Sequence, residues 1–323
     1  MASSFPSRLG LVEGGADDYE LFLKVFSGEV LTAFDEANIF DGKQLTNSIS
    51  FGESAQFPVM GRAAAGYHAA GDNILENAGL MNIIDLEEKV IAIDALLVAP
   101  LLLDNLDELL NHYDARSRKA HELGEALATD MDKRLFRVLA LAARSAANLT
   151  TLPAGTSIDA GATVTTDASV LLGAIFDAAQ TLDENEVPND GGRYLALRPA
   201  QWHLLVEDTT ALNKDWNGSG DFSRGVVGQI AGFNIVMSNH LAGTGNNVVA
   251  TVTGERNTYF DAAGFLTVIA QAWHTSAIGT VKLAGLKMEA EYKMEYQANF
   301  LNASMAMGHG ILRPEAAIQI TNV

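Results

Sequence analysis

The chain contains no cysteine, which excludes a disulfide framework, a thiolate-bound zinc and a thiol nucleophile. That absence suits a reducing compartment. Basic residues are scarce: 21 Lys+Arg stand against 40 Asp+Glu, a formal net charge of −19. Such a field repels phosphate backbones, so tight binding of nucleic acid by counterion release is not expected. Charge as a whole is also low, at 19% of residues against a usual ~25%, as if part of the surface were meant to be covered. Long apolar runs are missing too. The longest, Ala95–Leu103, contains Pro100 and is far too short to span a bilayer. Met1–Gly15 has no basic segment followed by an apolar one, so no signal peptide is expected.

Motifs of chemistry are equally sparse. The histidines are His68, His112, His121, His203, His240, His274 and His309, and His121-Glu122 lacks a second His four residues on, so no zinc-protease pair exists. No glycine loop for phosphate appears. Asp104, Asp107 and Glu108 form a small acidic cluster that suits a divalent cation, but carboxylates opening a helix explain it better. His274-Thr275-Ser276 suggests a nucleophile, yet neighbours on a strand point to opposite faces, which favours turn and core roles. No metal, cofactor or catalytic residue is expected.

What is present is architecture. Residues 1–15 are small, polar and glycine-rich and read as an arm. Asp17 and Asp18 precede Leu21, Phe22, Val25 and Phe26 at helical spacing, so a short helix is expected over Asp18–Phe26, interrupted at Gly28 and resumed at Val30–Phe34. Leu45–Gly61 and Ile83–Asp94 alternate as strands around the Gly/Ala/Asn-rich Arg62–Asn82, which predicts a long hairpin with a broad tip. A two-stranded hairpin is marginal alone in water, so it is expected to rest on another subunit. Ala120, Leu123, Leu127, Met131, Leu135, Val138 and Ala142 recur every three or four residues, predicting one long helix over Tyr113–Asn148. Leu149–Thr165 reads as a loop and Thr209–Gly225 as another. A helix from Thr166 or Asp167 buries Val170, Leu171, Ala174, Ile175, Ala178 and Leu182. Tyr194–Leu197 is a strand, and Pro199 opens a helix to about Val206. Val226–Met237, Phe265–Gln271, Phe300–Met307 and Ala316–Ile320 are strand-like. Met288, Ala290, Tyr292, Met294 and Tyr296 alternate with charged residues, predicting a strand with one buried face.

Several blocks in collinear order carry a resemblance: LFLKVFSGEVLTAF (Leu21–Phe34), GESAQFPVMGR (Gly52–Arg62), EKVIAIDALL (Glu88–Leu97), NHYDARS (Asn111–Ser117), SAIGTVKL (Ser276–Leu283) and AMGHGILRPEAA (Ala306–Ala317). Over nearly its whole length the chain resembles the major capsid proteins of podoviruses in the autographivirus group. The resemblance implies an α+β chain with the tailed-phage (Johnson) capsid fold: an N-terminal arm (1–45), an E-loop hairpin (46–98), a P-domain with the spine helix (99–164), an A-domain (165–275) and P-domain C-terminal strands (276–323). It implies self-assembly into pentamers and hexamers of an icosahedral head, with scaffolding and portal proteins as partners and packaged DNA in loose proximity. It also implies assembly in the host bacterial cytoplasm, the virion as the product and no membrane partner. Phe22, Val25, Phe26, Phe51, Phe57 and Arg62 are the expected assembly contacts, and Gly28 and Gly61 the expected hinges of expansion. Lys43 and Lys89 occupy regions where some shells cross-link, but no cross-link is expected. Two other readings stay open at this point, a cargo-holding bacterial compartment of the same fold and a soluble acidic enzyme.

Overall fold

In the computed structural model the described residues are 29–34, 37–63, 65–68, 70, 71, 73, 84–104, 115–207 and 229–323. The expected arm helix with Phe22, Val25, Phe26 and Gly28, the centre of the hairpin tip, Asp107, Glu108, His112 and the Thr209–Gly225 loop lie outside them. Val30, Ala33 and Phe34, three and four apart, are the buried side of a helical segment, α1 (29–34). The apolar stripe beginning at Ala120 forms the spine helix α2, Ala115–Arg144. It stops short of the expected Asn148 because Ser145 folds back, its amide on Ala142 O (3.1 Å) and its hydroxyl on Leu141 O (2.7 Å). All the stripe residues except Leu123 are fully buried, and from Leu135 to Ala140 the helix is buried on every side.

Two compact units divide the fold, one drawn from residues up to Asn38, Leu97–Ala128 and Leu286–Met305, the other from Ile39–Leu96, Thr129–Gly285 and Ala306–Val323. In the first, β4 (Leu97–Asp104) pairs antiparallel with the start of β11 (Ala298–Ile311). It is the edge strand of a sheet ordered β1-β10-β11-β4, which is where Pro100 is tolerated. Asp104 therefore closes a strand, correcting the expectation that it opens a helix. The period-two segment is the far end of β10 (Ile278–Lys293). The expected buried face is largely exposed there: Tyr292 is 37% exposed, and Met294 and Tyr296, just past the strand, are 74% and 64% exposed.

The second unit holds β1 (Leu45–Ser48), β2 (Ser54–Met60) and β3 (Leu86–Ala92), so the expected strand 45–61 is two strands broken at Ile49–Glu53. It also holds a six-stranded sheet ordered β5-β12-β9-β6-β8-β7. β5 (Thr156–Asp159) lies in the stretch expected to be a loop, and pairs parallel with β12 (Ala317–Thr321). β12 in turn pairs with β9 (Val268–His274), and β9 with β6 (Arg193–Leu197). This sheet thus joins strands from both sides of residues 164 and 275. Of the expected strand Val226–Met237, residues 226–228 lie outside the described ones, and the rest is a small hairpin, β7 (Gln229–Ile230) and β8 (Phe233–Met237), turning at Ala231 and Gly232 with φ of 51° and 81°. α3 (Ala168–Glu184) starts where Asp167 accepts the Ser169 amide at 2.9 Å, and α4 (Pro199–Glu207) opens on its proline.

Residues 39–44 plug this unit. Phe40 is fully buried, with its ring 4.6 Å from Phe136 and 5.3 Å from Trp273, and the Trp273 indole donates to Lys43 O at 3.1 Å. Lys43 in turn donates its ammonium to Ile39 O. Below the plug, Asp132 Oδ2 accepts the Ile39 amide at 3.1 Å, while Oδ1 is buried without a partner. Burial pushes this carboxyl up to about 7, against the opposing pull of the Ile39 and Phe40 amides and of Lys43. Between its ordinary 3.8 and about 7, the folded chain keeps a proton that the unfolded chain releases. Stability from this group therefore falls as pH rises through that window and levels off above it. Asp132→Asn removes the penalty. Its advantage over the parent chain is expected to grow from pH 4 to pH 7, to at most about 4 kcal/mol, in urea titrations at a series of pH values. A constant difference across that range would show that Asp132 ionises freely in the fold.

Candidate assembly surface

The β2–β3 hairpin is antiparallel with Met60 opposite Leu86 and Ser54 opposite Ala92, and directly opposed residues share a face. One face carries Ala55, Phe57, Val59 and Ile91. Ala55, Val59 and Ile91 are buried, and Ile91 joins Ile93, Val281, Ala306 and Leu312 in a core cluster. The other face carries Met60, Leu86 and Val90, which are 63%, 70% and 57% exposed. Pro58 lies exposed between them. Large apolar side chains aligned on one exposed ribbon face mark a surface that needs a partner.

The root of this hairpin is tied by buried polar groups. The Asp94 carboxylate accepts from the Arg256 amide (2.8 Å), the Asn257 amide (3.2 Å), Asn257 Nδ2 (3.1 Å) and the Tyr259 hydroxyl. Asn257 also pairs with Ala92 as a strand would, accepting its amide at 3.2 Å and donating to its carbonyl at 2.6 Å. The Tyr259 oxygen accepts the His309 amide at 2.9 Å, and His309 Nδ1 meets Thr280 Oγ1 at 2.9 Å. Burial raises the Tyr259 phenol and lowers the His309 imidazole to about 3. Both are therefore neutral hydrogen-bonding groups near pH 7, a structural use of polar residues rather than acid–base chemistry. No local signal in the sequence joins Asp94 to Asn257 and Tyr259, because the partners lie more than 160 residues apart.

Of the expected contacts, Phe51 is 92% exposed. Phe57 packs half-buried against the core cluster of its own chain, so Phe57→Asp would weaken the fold along with any contact. Arg62 turns back on its own chain, 2.7 Å from Asn185 O and 2.8 Å from the Glu186 carboxylate. Gly61 extends the ladder, its amide on Asp85 O at 2.8 Å, and a β-carbon there would sit 3.0 Å from Thr151 Oγ1. Close packing thus gives this glycine a reason besides hinge motion. Lys89 Nζ lies 3.5 Å from Glu87.

Among the described residues no three His, Asp or Glu side chains group as metal ligands, and no described helix is long and apolar enough to cross a membrane. His274 Nδ1 lies 2.8 Å from Ser276 Oγ and Nε2 lies 3.2 Å from Asp190. The Ser276 amide also donates to Nδ1 at 3.3 Å, and the Thr275 amide to Gly192 O at 3.1 Å. This is a staple across the β9–β10 turn.

The family model for Gp10A-like major capsid proteins matches residues 56–321. The chain belongs to that family. It is similar to the major capsid protein of Escherichia phage T7, at 34% identity over 95% of this chain and 93% of that protein. In structure it is similar to the capsid of cyanophage P-SCSP1u, with a TM-score of 0.78 and 39% identity over 100% of this chain and 99% of that one. The mature capsid subunit of bacteriophage PhiM1 shares the fold, with a TM-score of 0.68 at 19% identity over 88% of each chain. The molecule is thus a shell subunit of podovirus-like phages with the tailed-phage capsid fold.

Proposed function

We propose that this capsid subunit assembles with copies of itself into pentamers and hexamers, which tile an icosahedral head enclosing double-stranded DNA. The observation that carries the reading is the hairpin. One face is rooted in the subunit's own core, and the other holds Met60, Leu86 and Val90 in solvent. Head-to-tail contact of such a ribbon with the next subunit is heterologous and closes into rings when the rotation closes. Phe51 and, on the arm, Phe22, Val25 and Phe26 add further contacts; Gly28 and Gly61 are the positions at which arm and hairpin turn during expansion. Scaffolding and portal proteins guide assembly in the host cytoplasm. The −19 charge keeps the wall from adhering to packed DNA. The subunit works by geometry.

Expression with and without a scaffolding protein, followed by sedimentation, tests this. Closed shells sedimenting far ahead of free subunits are expected; a single slow monomer peak under both conditions would reject self-assembly.

A further inference from the structure

Arg62 is the first side chain beyond the β2 ladder, and its position on its own subunit is specific. Nη2 donates to the carbonyl of Asn185 and Nη1 lies against the Glu186 carboxylate. Asn185 is the C-cap of α3, and its side-chain amide donates to Glu315 O at 3.0 Å. The Val187 amide bonds Leu182 O at 2.9 Å. The acceptor site is therefore held from both sides, and a cation is favoured at a helix C-terminus.

Glu186 is the telling residue. It follows the C-cap with φ of 55°, at the point where helices commonly end on a left-handed glycine. A side chain there is strained, and a carboxylate at a helix C-terminus is electrostatically unfavourable as well. What Glu supplies that Gly does not is the carboxylate, and that group meets Arg62. A residue held in a strained backbone region points to a use for its side chain.

We propose that Arg62 and Glu186 form an intrachain strut that sets the direction in which the β2–β3 hairpin leaves the subunit, and that shell closure depends on it. The inference rests on the assembly reading and assigns Arg62 to positioning within the subunit, not to a neighbour. An exposed ion pair adds little to global stability. Its effect falls on orientation, and orientation errors multiply when each subunit must meet several others.

The test uses the full chain as Arg62→Glu, Glu186→Arg, the double swap and Glu186→Gly. In free subunits, hydrogen exchange at the Gly61 and Glu87 amides, which point across the β2–β3 ladder, should rise in each single variant and return in the swap. Unchanged exchange would overturn the strut whatever the shells do. Shell yield by electron microscopy should drop by roughly tenfold or more in the single variants and recover in the swap. Singles that assemble normally, or a swap that does not recover, would overturn it too. Glu186→Gly separates positioning from stability: it should melt about 2 °C higher, as strain relief predicts, yet close fewer shells. A parent chain that forms no shells while exchange responds as described would reject the assembly reading and leave the strut standing.

Discussion

Gly308→Ala is expected to destabilise the subunit by about 3 kcal/mol or more. A β-carbon at this position would lie 1.8 Å from the carbonyl oxygen of Ala92 and 2.9 Å from its carbonyl carbon. The obstacle is backbone, so no rotamer change relieves it. The same carbonyl is held by Asn257 Nδ2, and the Asp94 knot follows two residues on, so the hairpin root cannot retreat without breaking buried hydrogen bonds. Unfolding by urea would measure the loss as a lowered midpoint. Gly173→Ala is the control: it lies in α3 with nothing within 4 Å of its added carbon, and is expected to gain up to about 1 kcal/mol. Equal midpoints for Gly308→Ala and the parent would mean that β11 does not press against the hairpin root as described.

The second large effect is on assembly rather than stability. Met60→Asp combined with Leu86→Glu places two carboxylates directly opposite each other on the exposed face. Both sites are mostly in solvent in the subunit, so the unfolding midpoint is expected to move by no more than about 0.5–1 kcal/mol, most of it from the like-charge pair. Against a neighbour, the same change buries unpaired charge, and the expected outcome is folded subunits with no closed shells in the electron microscope. Normal shells from this variant would show that the ribbon face is not a contact.

How legible was this in the sequence? Elements with a regular period were plain. The spine helix, α3 and the hairpin strands follow from spacing alone, because each buries one face and keeps the other polar. β4 was not legible: Leu97–Asp104 is a run of apolar residues with a proline, without alternation to mark it as a strand. β5 was hidden among Gly, Thr and Ala, because its place is set by parallel pairing with β12, more than 150 residues away. The alternation around Met288–Tyr296 identified which side of the strand is apolar. It did not say whether this chain covers that side, and Met294 and Tyr296 remain largely exposed. The same limit applies to the assembly contacts. Phe51 and Phe57 look alike in sequence, yet one is in solvent and the other packs on its own core. Arg62 lay in the right segment, but its partners at the end of α3 come from tertiary structure.

The central claim is that the face bearing Met60, Leu86 and Val90 is covered by another copy of the chain. Because there is no native cysteine, a single thiol introduced as Leu86→Cys reports on that face alone. The measurement to make is its rate of reaction with a maleimide in free subunits and in purified closed shells. Fast labelling in subunits and strong protection in shells is the predicted result; equal rates in both would contradict the account.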